Sequence, residues 1–194
     1  MTTSPTAPLE NRSPGADPAR GSLAADARGS HVKPWGFTLL GAVRILLGFY
    51  FLWAFLDKLL GLGFATPRER AWINGGSPTT GFLGGSIESG NPFAGIWKFW
   101  LGLNPFTDIL FMAGLLGIGL ALLLGIGMHV AAVSGALLYL MMYLAAFPLA
   151  TNPILDDHLI MAVLLLAMAG LAAGDHLGFG RPWRRLVKGN ALLV

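Results

Sequence analysis

The 194-residue chain contains no cysteine. That excludes disulfides, thiol redox chemistry and Cys-ligated iron–sulfur clusters within it. Charge is scarce too. Charged residues make up 12% of the chain and hydrophobic residues 54%, against about 25% charged in an ordinary soluble domain. The formal net charge of +3 is carried largely by the two ends, so it points to no nucleic-acid partner. No glycine-rich loop follows a strand pattern, and no His/Asp cluster has the spacing of a ligand set, so neither a nucleotide site nor a metal site is expected.

What the chain has instead is apolar runs. About 20 mostly apolar residues span a bilayer core, and four segments approach that length: 36–60, 108–127, 129–147 and 156–174. The last is the shortest. Its stretch free of ionisable groups, 159–173, covers roughly 22 Å at 1.5 Å per residue, so the polar groups at its ends are expected at the membrane boundary. Small residues recur every four positions at Ala113, Gly117, Ala121 and Gly125, at Ala131 and Gly135, and at Gly170 and Gly174. Such stripes let membrane helices approach closely, because lipid provides no hydrophobic drive for association. The expected fold class is an all-α integral membrane protein, a four-transmembrane-helix bundle with a long extracytoplasmic loop between helices 1 and 2.

Three regions are expected. Residues 1–34, rich in Pro, Ser, Ala and Gly with few large apolar side chains, form a disordered N-terminal tail without the apolar core of a signal peptide. Residues 35–180 are the membrane domain. Residues 181–194 are a basic tail. Arg12, Arg20, Arg28 and Lys33 precede the spans, and Arg181, Arg184, Arg185 and Lys188 follow them. By the positive-inside rule both termini are cytoplasmic, in a multi-pass protein of the cell membrane. Arg68, Arg70 and Lys98 in the first long loop run against that orientation, while Asp156 and Asp157 suit the outer side.

The 61–107 loop is too long for a simple connection. Thr66-Pro67 is expected to start a short helix with Thr66 as its cap. Asn91-Pro92 opens the aromatic run Phe93–Leu101, which suits a helix lying in the membrane interface. Between them, the glycine-rich 72–83 stretch is expected to fold back over the mouth of the bundle, anchored by Trp72, Ile73, Phe82 and Leu83.

Ionisable groups inside an apolar helix are costly and mark function or a lock. Arg44 lies within the first span, and Asp57-Lys58 closes it. At 100° per residue Arg44 and Lys58 fall about 40° apart, on the side that holds Gly41, Gly48, Phe51 and Phe55. Aromatic walls with a few donors suit a planar ring, and Arg44 or Lys58 suits a dianion. The bland alternative for Arg44 is pairing with a buried acid or with backbone carbonyls. Asp156 suits a helix N-cap. Asp157 and His158 are the candidate catalytic pair, with His158 able to accept or release protons in a redox reaction. Asp175-His176 reads as a juxtamembrane surface pair. Haem is not expected: His158 falls at one end of the bundle, while His129 and His176, the two that could share an iron, fall at the other and neither sits well inside an apolar run. One cavity between the first and fourth spans is expected to gather Arg44, Lys58, Asp157 and His158, with Asp57 beside them.

The first span, Arg44 to Gly63 with Gly48 and Phe51-Leu-Trp-Ala-Phe-Leu-Asp-Lys-Leu-Leu-Gly-Leu-Gly63, resembles that of DoxX-type membrane proteins. Ala71-Trp-Ile-Asn-Gly-Gly-Ser-Pro-Thr-Thr-Gly-Phe-Leu83 resembles the branch related to DoxD, the large subunit of thiosulfate:quinone oxidoreductase. Asn152–His158 and Ala173–Asp175 fit the same pattern, so the resemblance covers about 36–185. It implies a four-span fold, quinone as electron acceptor and a sulfur donor such as thiosulfate. It also implies a partner redox subunit or soluble donor. Trp72, Asn74 and Ser77 of the DoxD-like stretch join Arg44, Lys58 and Asp57 as substrate-binding candidates. Two other functions fit the residues: a non-catalytic scaffold that docks a redox enzyme, and a small-solute carrier. A homo-oligomer is compatible with the small-residue stripes.

Overall fold

The computed structural model describes residues 33–190, 192 and 193, so the expected disorder of the N-terminal tail lies outside the described residues up to 32. Among the described residues there are helices and no strands. The long helices are α1 (Pro34–Leu60), α4 (Phe106–Leu124), α5 (Met128–Ala145) and α6 (Asp157–Gly170). Two short helices, α2 (Thr80–Glu88) and α3 (Ala94–Gly102), fill the long loop, and α7 (Gly180–Leu186) follows a turn at Ala173–Asp175. The chain is an α-helical membrane protein. Three helices, α1, α4 and α5, are long and apolar enough to cross a bilayer. The fourth expected span is a 14-residue apolar helix, about 21 Å long at 1.5 Å per residue. The helix ends before Leu171 because the chain turns at Ala172, which has φ 51°.

α1 packs mainly on α4, and α5 on α6, with α4 and α5 joining the pairs. The face holding Gly41, Arg44, Gly48 and Phe51 is the buried face of α1. A Cβ placed on Gly48 would lie 2.7 Å from the Leu123 amide nitrogen, and one on Gly119 would lie 3.0 Å from that of Leu52. Backbone therefore meets backbone here. The four-residue stripe on α4 plays a smaller part than expected: Ala113 and Gly117 are exposed, and a Cβ on Gly117 meets nothing within 4 Å. Register explains it, since Gly119 rather than Gly117 points at α1. On α5 the stripe does pack, with the Gly135 Cβ position 2.7 Å from the Leu165 side chain of α6. Gly170 is open, while Gly174 lies against Gly125.

The α4–α5 turn is tight. Gly125 takes φ 72°, a left-handed conformation that glycine adopts without penalty. Its N–H and that of Ile126 both return to the Ala121 carbonyl. Residues 176–179 dock on this end of α4: Phe179 N–H donates to the Leu124 carbonyl at 2.8 Å, and the His176 ring stacks on Phe37 near the start of α1, centroids 4.8 Å apart. The opposite end of the bundle carries the α2–α3 segment.

That segment differs from expectation. Thr66 and Pro67 start no α-helix; Pro67 is extended and precedes a single 3-10 turn at Arg68–Arg70. Conversely, Thr80–Glu88 is helical although it contains three glycines. Tertiary contacts override its poor propensity: Leu83 is buried with Trp97 and Ala145 in a small cluster of its own. Asn91 ties the α2–α3 turn to the bundle. Its amide donates to Ser86 Oγ and to the Leu144 and Ala145 carbonyls at 2.9–3.1 Å, and its oxygen accepts from Phe93 N–H at 2.7 Å. Of the expected anchors, Trp72 packs against the core and Leu83 is buried, whereas Ile73 and Phe82 are exposed.

Candidate functional site

The ionisable candidates do not share one cavity. Arg44 is fully buried inside α1. Its Nη1 donates to the Leu122 and Leu123 carbonyls, and its Nη2 donates to the His176 and Leu177 carbonyls at 3.2 and 2.9 Å. The first two belong to the last turn of α4, where carbonyls lack in-helix donors and the helix dipole is negative. No acid pairs with Arg44 among the described residues. The guanidinium is thus balanced by carbonyl dipoles, and Gly125 and Gly178 leave room for it, with Cβ positions 2.9 and 2.8 Å from its nitrogens. Of the two sequence-level alternatives for Arg44, this geometry is the lock.

Asp57 is also a lock. Its carboxylate accepts from the Phe64 and Ala65 amides at 3.2 and 3.0 Å, holding the loop that leaves α1. Asn74 donates to the Arg68 carbonyl at 2.8 Å on the surface. Ser77 donates to Asp108 Oδ1 at 2.9 Å. Thr79 reaches the same oxygen through its hydroxyl at 2.6 Å and its amide at 3.1 Å. Asp108 is therefore the buried anchor that fastens the 77–80 turn to the start of α4. It was missed because a carboxylate in the first turn of a helix reads as ordinary capping.

At the start of α6, Asp156 caps the helix by accepting from Leu159 N–H at 3.1 Å, and its other oxygen meets His158 Nδ1 at 2.7 Å. Asp157 is exposed, with Oδ1 3.6 Å from the same nitrogen. Potential ligand atoms of the three residues lie within 4.8 Å of one another. Consecutive numbering hid this convergence, which arises because Asp156 is extended and turns its side chain back over the first turn. The His158 ring lies 6.0 Å from that of Tyr139, which in turn packs 5.1 Å from Phe51.

Lys58 belongs to a different place. It lines a cavity of about 390 Å³ between α4, α5 and the α2–α3 segment. Phe82, Trp97, Trp100, Phe111, Met141 and Met142 supply apolar wall, and Thr79, Thr107 and Ser134 add hydroxyls. Neither Arg44 nor Asp157 nor His158 reaches it, and Trp72, Asn74 and Ser77 stand outside it. Lys58 is the only charged residue in the lining, and its ammonium lies 6.0 Å from the centre of the Phe111 ring. It makes no ion pair among the described residues. The hydroxyls are already donors: Thr79 to Asp108, Thr107 to the Trp100 carbonyl at 2.6 Å and Ser134 to the Val130 carbonyl at 2.7 Å. The indole N–H of Trp97 is buried without a partner. Leu110 and Leu137 line the cavity and are half exposed. The signal for this site was the aromatic run of α3, which sequence reading assigned to the membrane interface.

Compared with known proteins, the chain matches no family model, no curated protein and no solved structure.

Proposed function

We propose that the protein is the membrane subunit of a quinone-linked oxidoreductase, with the Lys58 cavity as its quinone site. The observation that carries this reading is one apolar, aromatic-walled cavity with a single cation in its lining. A lipophilic ring fits between Phe82, Trp100 and Phe111, and Lys58 supplies a charge-assisted hydrogen bond to a ring oxygen. The resemblance of the first span and of residues 71–83 to DoxX- and DoxD-type proteins supports a sulfur donor such as thiosulfate. A partner subunit or soluble donor carries the electrons, because this cysteine-free chain holds no thiol or Cys-ligated cluster to relay them. His158, with Asp156 behind it and Asp157 beside it, exchanges the protons at the bundle end.

Gly114 provides the test. It lines the cavity, and a Cβ there meets nothing within 4 Å. Gly114→Leu should therefore project its side chain into the cavity from a position where its Cβ has room. In lipid nanodiscs, a short-chain quinone should quench tryptophan fluorescence saturably in the wild type. Gly114→Leu should abolish that quenching at unchanged helicity and melting temperature. Lys58→Met should weaken binding by about tenfold, the loss of one charged hydrogen bond. Wild-type binding by both variants would overturn the reading, and binding of a fatty acid but no quinone would replace it.

The same reading carries a topology: α6 completes a fourth crossing, and both termini are cytoplasmic. The basic residues on both ends support it. Reporter fusions at residue 80 and at the C-terminus should give signals from opposite sides of the membrane. Signals from one side would exclude it.

A further inference from the structure

The end of the bundle away from Lys58 holds a second, open cavity of about 520 Å³, lined by Asp175, Arg181, Arg184, Arg185, Lys188 and Gly189. We infer that this cavity is a binding site for the headgroup of an anionic phospholipid. The inference does not depend on the quinone reading.

The charge balance is the first support. Four cations and one acid line the cavity. Arg184 is spent on Asp175, at 2.7 Å. Arg181, Arg185 and Lys188 make no ion pair among the described residues. Three like charges held together against a surface favour an anion.

The second support is the helix itself. At 100° per residue, Arg181, Arg184 and Arg185 cluster on one side of α7 and Leu186 falls on the opposite side, with Phe179 and Lys188 flanking the helix. Both apolar residues are exposed, at 61% and 73%. A short helix with one basic face and one apolar face suits the plane between headgroups and acyl chains.

Position is the third. Residues 176–179 are fastened to the end of α4 by the Arg44 and Phe179 hydrogen bonds. Helix α7 therefore begins at the end of a helix long and apolar enough to cross a bilayer. A free phosphate would satisfy the cations alone. The exposed apolar residues Phe179 and Leu186, outside the cavity, are what select a lipid, whose acyl chains continue past them.

The full chain, purified and released from mixed micelles of phosphatidylglycerol and phosphatidylcholine, tests this by native mass spectrometry. The wild type should retain phosphatidylglycerol selectively. The triple variant Arg181→Ala, Arg185→Ala, Lys188→Ala should bind it about a hundredfold more weakly, at about fivefold per cation. Its melting temperature in phosphatidylcholine should be unchanged, because these side chains are exposed and Arg184 is kept. A second triple variant, Arg181→Lys, Arg185→Lys, Lys188→Arg, keeps the charge and should restore retention. Equal retention of both lipids, or retention that survives the alanine variant, overturns the site. Displacement of the lipid by millimolar inorganic phosphate overturns the lipid in favour of a free anion.

Discussion

Arg44→Ala should cost about 3–5 kcal/mol, from buried carbonyls left without donors and the cavity left by a large side chain. It should lower the melting temperature in detergent by about 10 °C. The change removes a guanidinium that serves the carbonyls of Leu122, Leu123, His176 and Leu177 at once. Water cannot replace it, because Arg44 is 0% exposed. Two of these carbonyls end α4, so the α4 terminus and the 176–179 segment should loosen together, detected as faster amide exchange at Phe179. Arg44→Lys should recover only part of the loss. An ammonium is a point charge, whereas the guanidinium fork reaches both carbonyl pairs in one plane. A melting temperature within 2 °C of wild type for Arg44→Ala would show that the carbonyls find other donors. The quinone reading predicts a further contrast: Arg44→Lys, once folded, should bind quinone as the wild type does, since Arg44 lies outside the Lys58 cavity.

Gly48→Leu should be of similar size by a different route. Its Cβ would stand 2.7 Å from the Leu123 nitrogen and 3.1 Å from the Gly119 carbonyl oxygen. Both are backbone atoms of a long helix and cannot step aside as a side-chain tip can. Overpacking of this kind costs about 1–3 kcal/mol and sometimes more. Here it also prises α1 from α4, its main neighbour, so about 3 kcal/mol is expected. The Leu122 and Leu123 carbonyls would draw away from Arg44 at the same time. Gly117→Leu is the control: that position is exposed and meets nothing within 4 Å, so its melting temperature should match the wild type. Equal effects at 48 and 117 would mean that side-chain size in the helices matters and close backbone approach does not.

Both predictions rest on one physical fact about this molecule. Between apolar helices in lipid there is no hydrophobic drive, so packing and a few polar locks hold the bundle. Arg44 closes the end of α4, Asn91 closes the end of α5, and Asp57 and Asp108 fasten the loop segment. Each lock satisfies backbone groups or turn hydroxyls that would otherwise be buried unpaired, at about 1–3 kcal/mol apiece. The Lys58 cavity and the basic cavity beside α7 lie at opposite ends of the bundle.

Much of the architecture was legible in the residues. Low charge and long apolar runs are enough to specify membrane helices, because a backbone in lipid has no other way to satisfy its hydrogen bonds. The helical period placed Gly41, Arg44, Gly48, Phe51, Phe55 and Lys58 on one face, of which the first four are buried and Phe55 and Lys58 half-buried. Asp156 read as a cap and is one. These properties are local: they depend on a residue's own type and its neighbours within a turn or two. The cavity was not local. Lys58 meets the aromatic ring of Phe111 and the walls built by Trp97, Trp100 and Met141 only because α2 and α3 fold back onto α4 and α5. Sequence placed Lys58 with Asp157 and His158 because all three lie at the same end. Tertiary structure separated them, since α1 pairs with α4 while α6 pairs with α5. Depth along a helix follows from counting residues; which neighbour a helix face meets depends on register between helices, as Gly119 in place of Gly117 shows. That choice is made by backbone approach and by carbonyls far apart in the chain, and no span carries it alone.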